Sequence, residues 1–218
     1  MQKALSLTAL SLSTALAGPA GLALADSYEV RIVNATRGQV ITPPFVAVHN
    51  HQVSLFQLGK PAPDYLVPLA EDGDSSAVVS AARASANVHA VATGEGAIPP
   101  GHSLTLSVES DDGFPLLTVA AMLATSNDAF LAVHSMALPE GDTPTSLSAQ
   151  VYDAGSEANS ESCHTIPGPP CGSPGFRDSD GAEGFVHVHS GIHGIGDLAP
   201  ETYDWRNPGA YVTVRKVD

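Results

Sequence analysis

The sequence predicts an all-β protein, a single antiparallel β-sandwich of about eight or nine strands with one or two short helices. Three observations carry that expectation. Apolar residues recur in short runs of strand length, several of them strictly alternating. Twenty Gly and 17 Pro punctuate the 218 residues too often for long helices. No strand–helix–strand rhythm and no repeat at a fixed period runs through the chain, which argues against a parallel sheet or a solenoid.

Taken in order, residues 1–25 read as a secretory signal peptide: Lys3, a Leu/Ala-rich apolar run, a break at Gly18-Pro19, and the small-x-small site Ala23-Leu24-Ala25. The run is too short and too broken for a membrane-spanning helix. Residues 26–218 then form one domain, exported to a periplasm or to the cell exterior. Tyr28–Asn34 alternates as a strand, and Phe45–His49 is a second, with Phe45, Ala47 and His49 on one face. Val53–Leu58 follows as a further extended segment before Gly59-Lys60-Pro61. Leu66–Ala86 is the most helix-permissive stretch. Strands return at Val88–Ala92 and at His102–Glu109, with Leu104, Leu106 and Val108 inward. Pro115–Leu123 is continuously apolar, the pattern of a strand buried on both faces. Ala129–Ala137, Thr145–Tyr152, Gly184–Ser190 and Gly209–Lys216 complete the strands. Asp153–Glu183 is a long Gly/Ser/Pro/Asp/Asn loop, a length usual for functional or mobile segments.

Composition narrows the partners. The chain carries 9 Lys+Arg against 23 Asp+Glu, a formal charge of −14, yet only 15% of its residues are charged. The imbalance is a shortage of basic residues, which repels phosphate backbones and provides no patch for anionic lipid. A cation is the partner such a field attracts. In an oxidising compartment Cys163 and Cys171 are expected to pair across a short Pro/Gly loop. That bond restrains little of the unfolded chain, about 2.5 kcal/mol on the loop-entropy account. Two isolated metal-binding thiolates lack the second Cys pair that such a site needs.

Two constellations bear chemistry. Ser126-Asn127-Asp128 and Tyr152-Asp153-Ala154-Gly155-Ser156-Glu157 place carboxylates at strand ends on bendable turns. Ca²⁺ takes six to eight oxygens and suits such loops. On spacing alone the turn-forming habit of Asn and Asp accounts for these residues without an ion. Histidines form the other constellation. His49 and His51, and again His187 and His189, sit at i, i+2 on one face of an extended strand, with His193 close behind. Paired imidazoles suit Zn²⁺ or Cu²⁺, while a polar strand face explains each pair by itself. No nucleophile elbow or helical zinc motif nominates an enzyme. Trp205 reads as an anchor for the last loop.

The segment Met122–His134 followed by Val151–Glu157 resembles the spondin N-terminal domain, whose members carry a Ser-x-Asp-x-Phe turn and, further on, an aromatic-Asp-Ala-Gly-Thr-acidic segment. Thr42–Val48, Phe185–His189 and Asp204–Pro208 are similar to small exported bacterial members. The resemblance spans nearly all of residues 26–218. It implies a sandwich similar to C2 domains, one Ca²⁺ held by Asp128, Asp153 and Glu157, and a non-enzymatic binding or adhesion role toward a protein or glycan at a cell surface or matrix. Two positions depart from the family pattern: Ala129 stands where Trp is frequent, and Glu157 stands where Asp is frequent.

Overall fold

The computed structural model describes residues 25–173 and 176–217. The expected signal peptide, apart from Ala25, lies outside the described residues. Nine antiparallel strands run in chain order as β1 Asp26–Asn34, β2 Phe45–His49, β3 Val88–Thr93, β4 Ser103–Ser110, β5 Leu116–Met122, β6 Ala129–Ala137, β7 Thr145–Asp153, β8 His187–Val188 and β9 Ala210–Val217. Three short helices, α1 Val67–Asp72, α2 Ser76–Arg83 and α3 Pro200–Tyr203, complete the elements. None of the described helices is long and apolar enough to cross a membrane.

The strands form one hydrogen-bonded array in the order β3-β2-β5-β6-β7-β9-β1-β4, with β8 added to β7. The array folds over at β7. Residues Thr145–Ala149 of β7 pair with β9, and Gln150–Asp153 pair with β6. One strand therefore serves both layers of a sandwich, and the edge strands β3 and β4 approach one another without a ladder. The all-β antiparallel architecture read from the sequence is the one observed.

Alternation along the strands divides the core. Val30, Ile32, Val46, Val48, Val119, Leu131, Val151, Val212 and Val214 meet between the layers. On the opposite face of the β2–β5–β6 layer, Phe45, Ala47, Ala120, Phe130 and Ala132 pack against Leu66 and Leu69 near α1 and Val78 of α2. Every residue of β5 is buried, because one face looks into the sandwich and the other lies under the helices. That is the physical reason for the unbroken apolar run at Pro115–Leu123. Each large side chain so buried contributes about 1.5–3 kcal/mol. α1 carries Pro68 in its first turn and stops at Gly73, whose left-handed φ of 69° lets its N–H bond back to the Leu69 carbonyl.

Two expectations need correction. Val53–Leu58 is a loop, not a strand: adjacent residues Leu55 and Phe56 are both buried, so the segment plugs the helix-side core instead of alternating. The Gly184–Ser190 segment contracts to a two-residue strand, laddered on Tyr152 and Asp153, while Val186 on one side exchanges hydrogen bonds with Gly59 and Lys60 and His189 on the other donates to the Val151 carbonyl. α3 has no counterpart in the sequence reading. Cys163 and Cys171 are disulfide-bonded as expected.

Phe130 is fully buried, edge-on to Phe56 at 5.2 Å, and beside Tyr152. Phe130→Ala is expected to lower unfolding stability by about 3–5 kcal/mol, measured by urea denaturation. A loss below 1 kcal/mol would show that the helix-side core does not hold these elements together.

Candidate functional site

One end of the sandwich is crowded with acid. The β5–β6 turn delivers Asp128, which Ser126 shapes by donating its hydroxyl to the Leu123 carbonyl and accepting the Ala129 N–H. β7 ends on Asp153, cross-strand from Ala129 on one side and from His187 of β8 on the other. The chain then turns at Gly155 to bring Glu157 back. Gly155 has φ +66°, and a Cβ there would sit 2.4 Å from the Phe185 carbonyl oxygen, so only glycine fits. All three carboxylates are buried: Asp128 0%, Asp153 0% and Glu157 1% exposed.

Backbone and side-chain donors hold part of this acid. Asp128 Oδ2 accepts the N–H of Ser156 (2.7 Å) and of Glu157 (3.1 Å) and the Ser156 hydroxyl (3.2 Å). Asp153 Oδ1 accepts the Gly155 N–H (2.7 Å) and Oδ2 accepts the Asn159 amide (2.6 Å). Asp128 Oδ1 and both carboxylate oxygens of Glu157 are buried and accept no hydrogen bond. Buried oxygens of this kind cost free energy unless something positive reaches them.

Among the described residues, Arg177 is the one arginine or lysine that ion-pairs within this cluster. It pairs with Glu71 and Asp72 in the last turn of α1, and its Nε lies 3.7 Å from Glu157 Oε1. Carboxylates at a helix C-terminus oppose the helix dipole, so Arg177 is already engaged by two acids before Glu157. The consequence is a set of carboxyls held against ionisation. Burial, then Asp153, pushes Asp128 up to about 7. Burial, then Glu71, pushes Glu157 up to about 8, with Arg177 opposing. Asp153 is raised as well, chiefly by burial.

Histidines predicted as metal ligands separate into two groups. His49 is fully buried with both ring nitrogens engaged, Nδ1 by the Asn50 carbonyl and Nε2 by the Thr118 hydroxyl, each at 2.8 Å. Its neighbour His51 is exposed in the turn after β2. The His49/His51 pair is therefore corrected to one structural and one surface histidine, because β2 ends at His49. His193 is exposed and meets the Ser190 hydroxyl at 3.1 Å. His187 and His189, in contrast, flank Asp153: Nε2 of His187 is 3.6 Å from Oδ1, and Nε2 of His189 is 3.6 Å from Oδ2. His189 is buried edge-on against Trp205, which anchors its loop as expected. Burial, then His187 and His193, pulls the His189 pKa down to about 3, so its ring is neutral.

Several residues at this end escaped the sequence reading: Asn159, Glu183, Arg177 and Glu161. Asn159 donates to Asp153 and also to Glu183 (3.1 Å), which lies 24 residues on. Glu161 is buried and accepts the N–H groups of His193, Gly194 and Ile195 at 2.6–3.0 Å, pinning the loop over the site. Among the described residues, Asp153, Glu183 and His187 form a group whose ligand atoms all lie within 4.8 Å of one another; Asp128 and Glu157 stand outside it. No family model matches the chain, and no curated protein matches it.

The raised carboxyls have a pH consequence with a definite sign. In the folded chain Asp128 and Glu157 keep protons that the unfolded chain releases near 3.8 and 4.5. Their contribution is complete below those values and is lost as pH rises through the folded ones. Below about 6.5 the neutral burial of His49, His134 and His189 acts with opposite sign, so the clean interval lies above it. In chelator-treated buffer, unfolding stability is expected to fall between pH 6.5 and about 8, approaching about 1.4 kcal/mol per pH unit for one group. Glu157→Gln is expected to flatten that slope; a wild-type slope that is flat or rising contradicts the burial argument.

Proposed function

We propose that this protein is an exported, Ca²⁺-dependent binding module of the spondin type, in which Asp128, Asp153 and Glu157 hold the ion at the loop end of the sandwich. The observation that carries this reading is the set of buried oxygens on Asp128 and Glu157 that accept no hydrogen bond, beside the buried carboxylate of Asp153. A hard divalent cation with carboxylate, carbonyl and water ligands meets that need. An ion there would replace the protons these groups otherwise hold and neutralise the repulsion between them.

The role is structural and not catalytic. The β5–β6 turn and the loop after β7 meet at these three residues, so cross-linking them orders the surface beyond. That surface is suited to a partner. Phe176, Phe185, Val188 and Ile195, four of the large exposed apolar side chains, all lie on the loops between β7 and α3 or on the short strand β8 among them. The partner class is a protein or glycan at a cell surface or matrix. The disulfide within the same loop is compatible with export to an oxidising compartment.

Titration of the chelator-treated protein with Ca²⁺ is expected to raise the melting temperature, by an amount equivalent to about 2.7 kcal/mol at one hundred times Kd. Asp128→Asn, which leaves Asp153 and the histidines untouched, is expected to remove the response. No shift in the wild type, or an equal shift in the variant, would sink the assignment.

A further inference from the structure

We infer that Asp153, Glu183 and His187 form a second cation site, distinct from the calcium site in its chemistry, that takes a divalent transition-metal ion of the Zn²⁺ type. The inference does not rest on the calcium reading, although Asp153 is common to both.

Proton bookkeeping in the two imidazoles separates their roles. His187 Nδ1 lies 3.0 Å from the Val188 carbonyl oxygen, which can only accept, so Nδ1 carries the hydrogen. Nε2 of the neutral ring is then a bare lone pair. It is buried, makes no hydrogen bond, and faces Asp153 Oδ1 at 3.6 Å and Glu183 Oε2 at 3.9 Å. A lone pair aimed at two carboxylate oxygens is repulsive unless a cation lies between them. A second partner that fixes Nδ1–H and leaves Nε2 free is also the usual arrangement of a metal-bound histidine. His189 is the reverse. Its Nδ1 accepts the Gly191 N–H at 3.0 Å, so the neutral ring carries its hydrogen on Nε2 and presents it, buried and unpartnered, toward Asp153 Oδ2. With its hydrogen on Nε2, His189 presents no lone pair to an ion beside Asp153 and is not a ligand.

The spacings fit an ion better than direct contact. Hydrogen bonds between nitrogen and oxygen run about 2.7–3.2 Å, and both His187 distances exceed that range. Ligand atoms on a tetrahedral Zn²⁺ with bonds of about 2.0 Å lie roughly 3.3 Å apart, so a small inward movement completes the set. The carboxylates are prepared for it. The single amide group of Asn159 donates to Asp153 Oδ2 and Glu183 Oε1, which turns the opposite oxygen of each toward His187. One nitrogen and two oxygens leave at least one position open. A cavity of about 170 Å³ lined by Asn127, Ser190, Ile192, His193 and Ile195 adjoins it, so that position would take water or a ligand from solvent. Mixed imidazole and carboxylate donors favour Zn²⁺ and its neighbours over Ca²⁺.

The plain alternative is a protonated His187 that merely ion-pairs with the two acids. Titration of the untagged protein with Co²⁺, the spectroscopic stand-in for Zn²⁺, in excess Ca²⁺ separates the two. The expected result is one equivalent bound, with the visible ligand-field bands of a low-coordinate site and displacement by Zn²⁺. Affinity should fall at least tenfold in both His187→Ala and Glu183→Gln, and should be unchanged in His193→Ala. Glu183 is partly exposed at the site's rim, so its variant keeps the test valid if His187→Ala folds poorly. No Co²⁺ uptake, uptake equal in the Glu183→Gln variant, or uptake abolished by Ca²⁺ would overturn the site. A Co²⁺ spectrum without a Ca²⁺ melting shift would remove the calcium reading and leave this one standing.

Discussion

Asp153 ends the strand that both layers of the sandwich share, and its carboxylate is withdrawn from water. β7 cannot shift by one residue without exposing Val151 and breaking its pairing with β6 and β9 at once. The acid is thus held in place by the fold's largest apolar constraint. Its charge must be answered locally, and Gly155, Asn159, His187 and His189 are all arranged around it. Much of the loop end is organised by that requirement.

Burial explains why so many acids could gather there. In water, carboxylates at this density would simply separate; here the turn at Ser126 and the left-handed Gly155 hold their backbones together. The cluster is relieved on its outer side by Arg177, already committed to Glu71 and Asp72, and on its inner side by backbone N–H groups. Neither reaches Asp128 Oδ1 or binds Glu157 closely. The stability lost by leaving those oxygens without donors is the physical basis for expecting an ion, and it sets a hard oxygen-rich environment beside one with an imidazole. Two neighbouring sets of donors with different softness meet at one aspartate.

The loop from Asp153 to Glu183 shows why length without secondary structure is not looseness. Its disulfide closes only the Cys163–Cys171 turn. Elsewhere buried polar side chains tie it down, with Glu161 gathering three consecutive N–H groups and Asn127 reaching Thr165. Such ties substitute for a ladder, and they place exposed apolar residues on a supported surface.

By itself, the sequence determined the class of fold and nearly every strand, because alternation and continuous apolar runs report directly on one or two buried faces. It also displayed Asp128, Asp153 and Glu157 as turn acids at strand ends, although only the resemblance to the spondin domain singled them out as an ion's ligands, and it displayed His187 with His189 as a pair on one extended segment. Val53–Leu58 misled for the same reason: two adjacent buried apolar residues look like strand until the helix-side core shows where they go. Only the tertiary structure separated the histidines from one another. His49 and His187 are alike in sequence context, yet one has both nitrogens satisfied and the other has a buried Nε2 that makes no hydrogen bond and faces Asp153. Glu183, Asn159 and Arg177 carry no local signal at all. They become part of the site because β8 pairs with the end of β7 and folds the long loop back onto it, and cross-strand register is a property of two distant segments together.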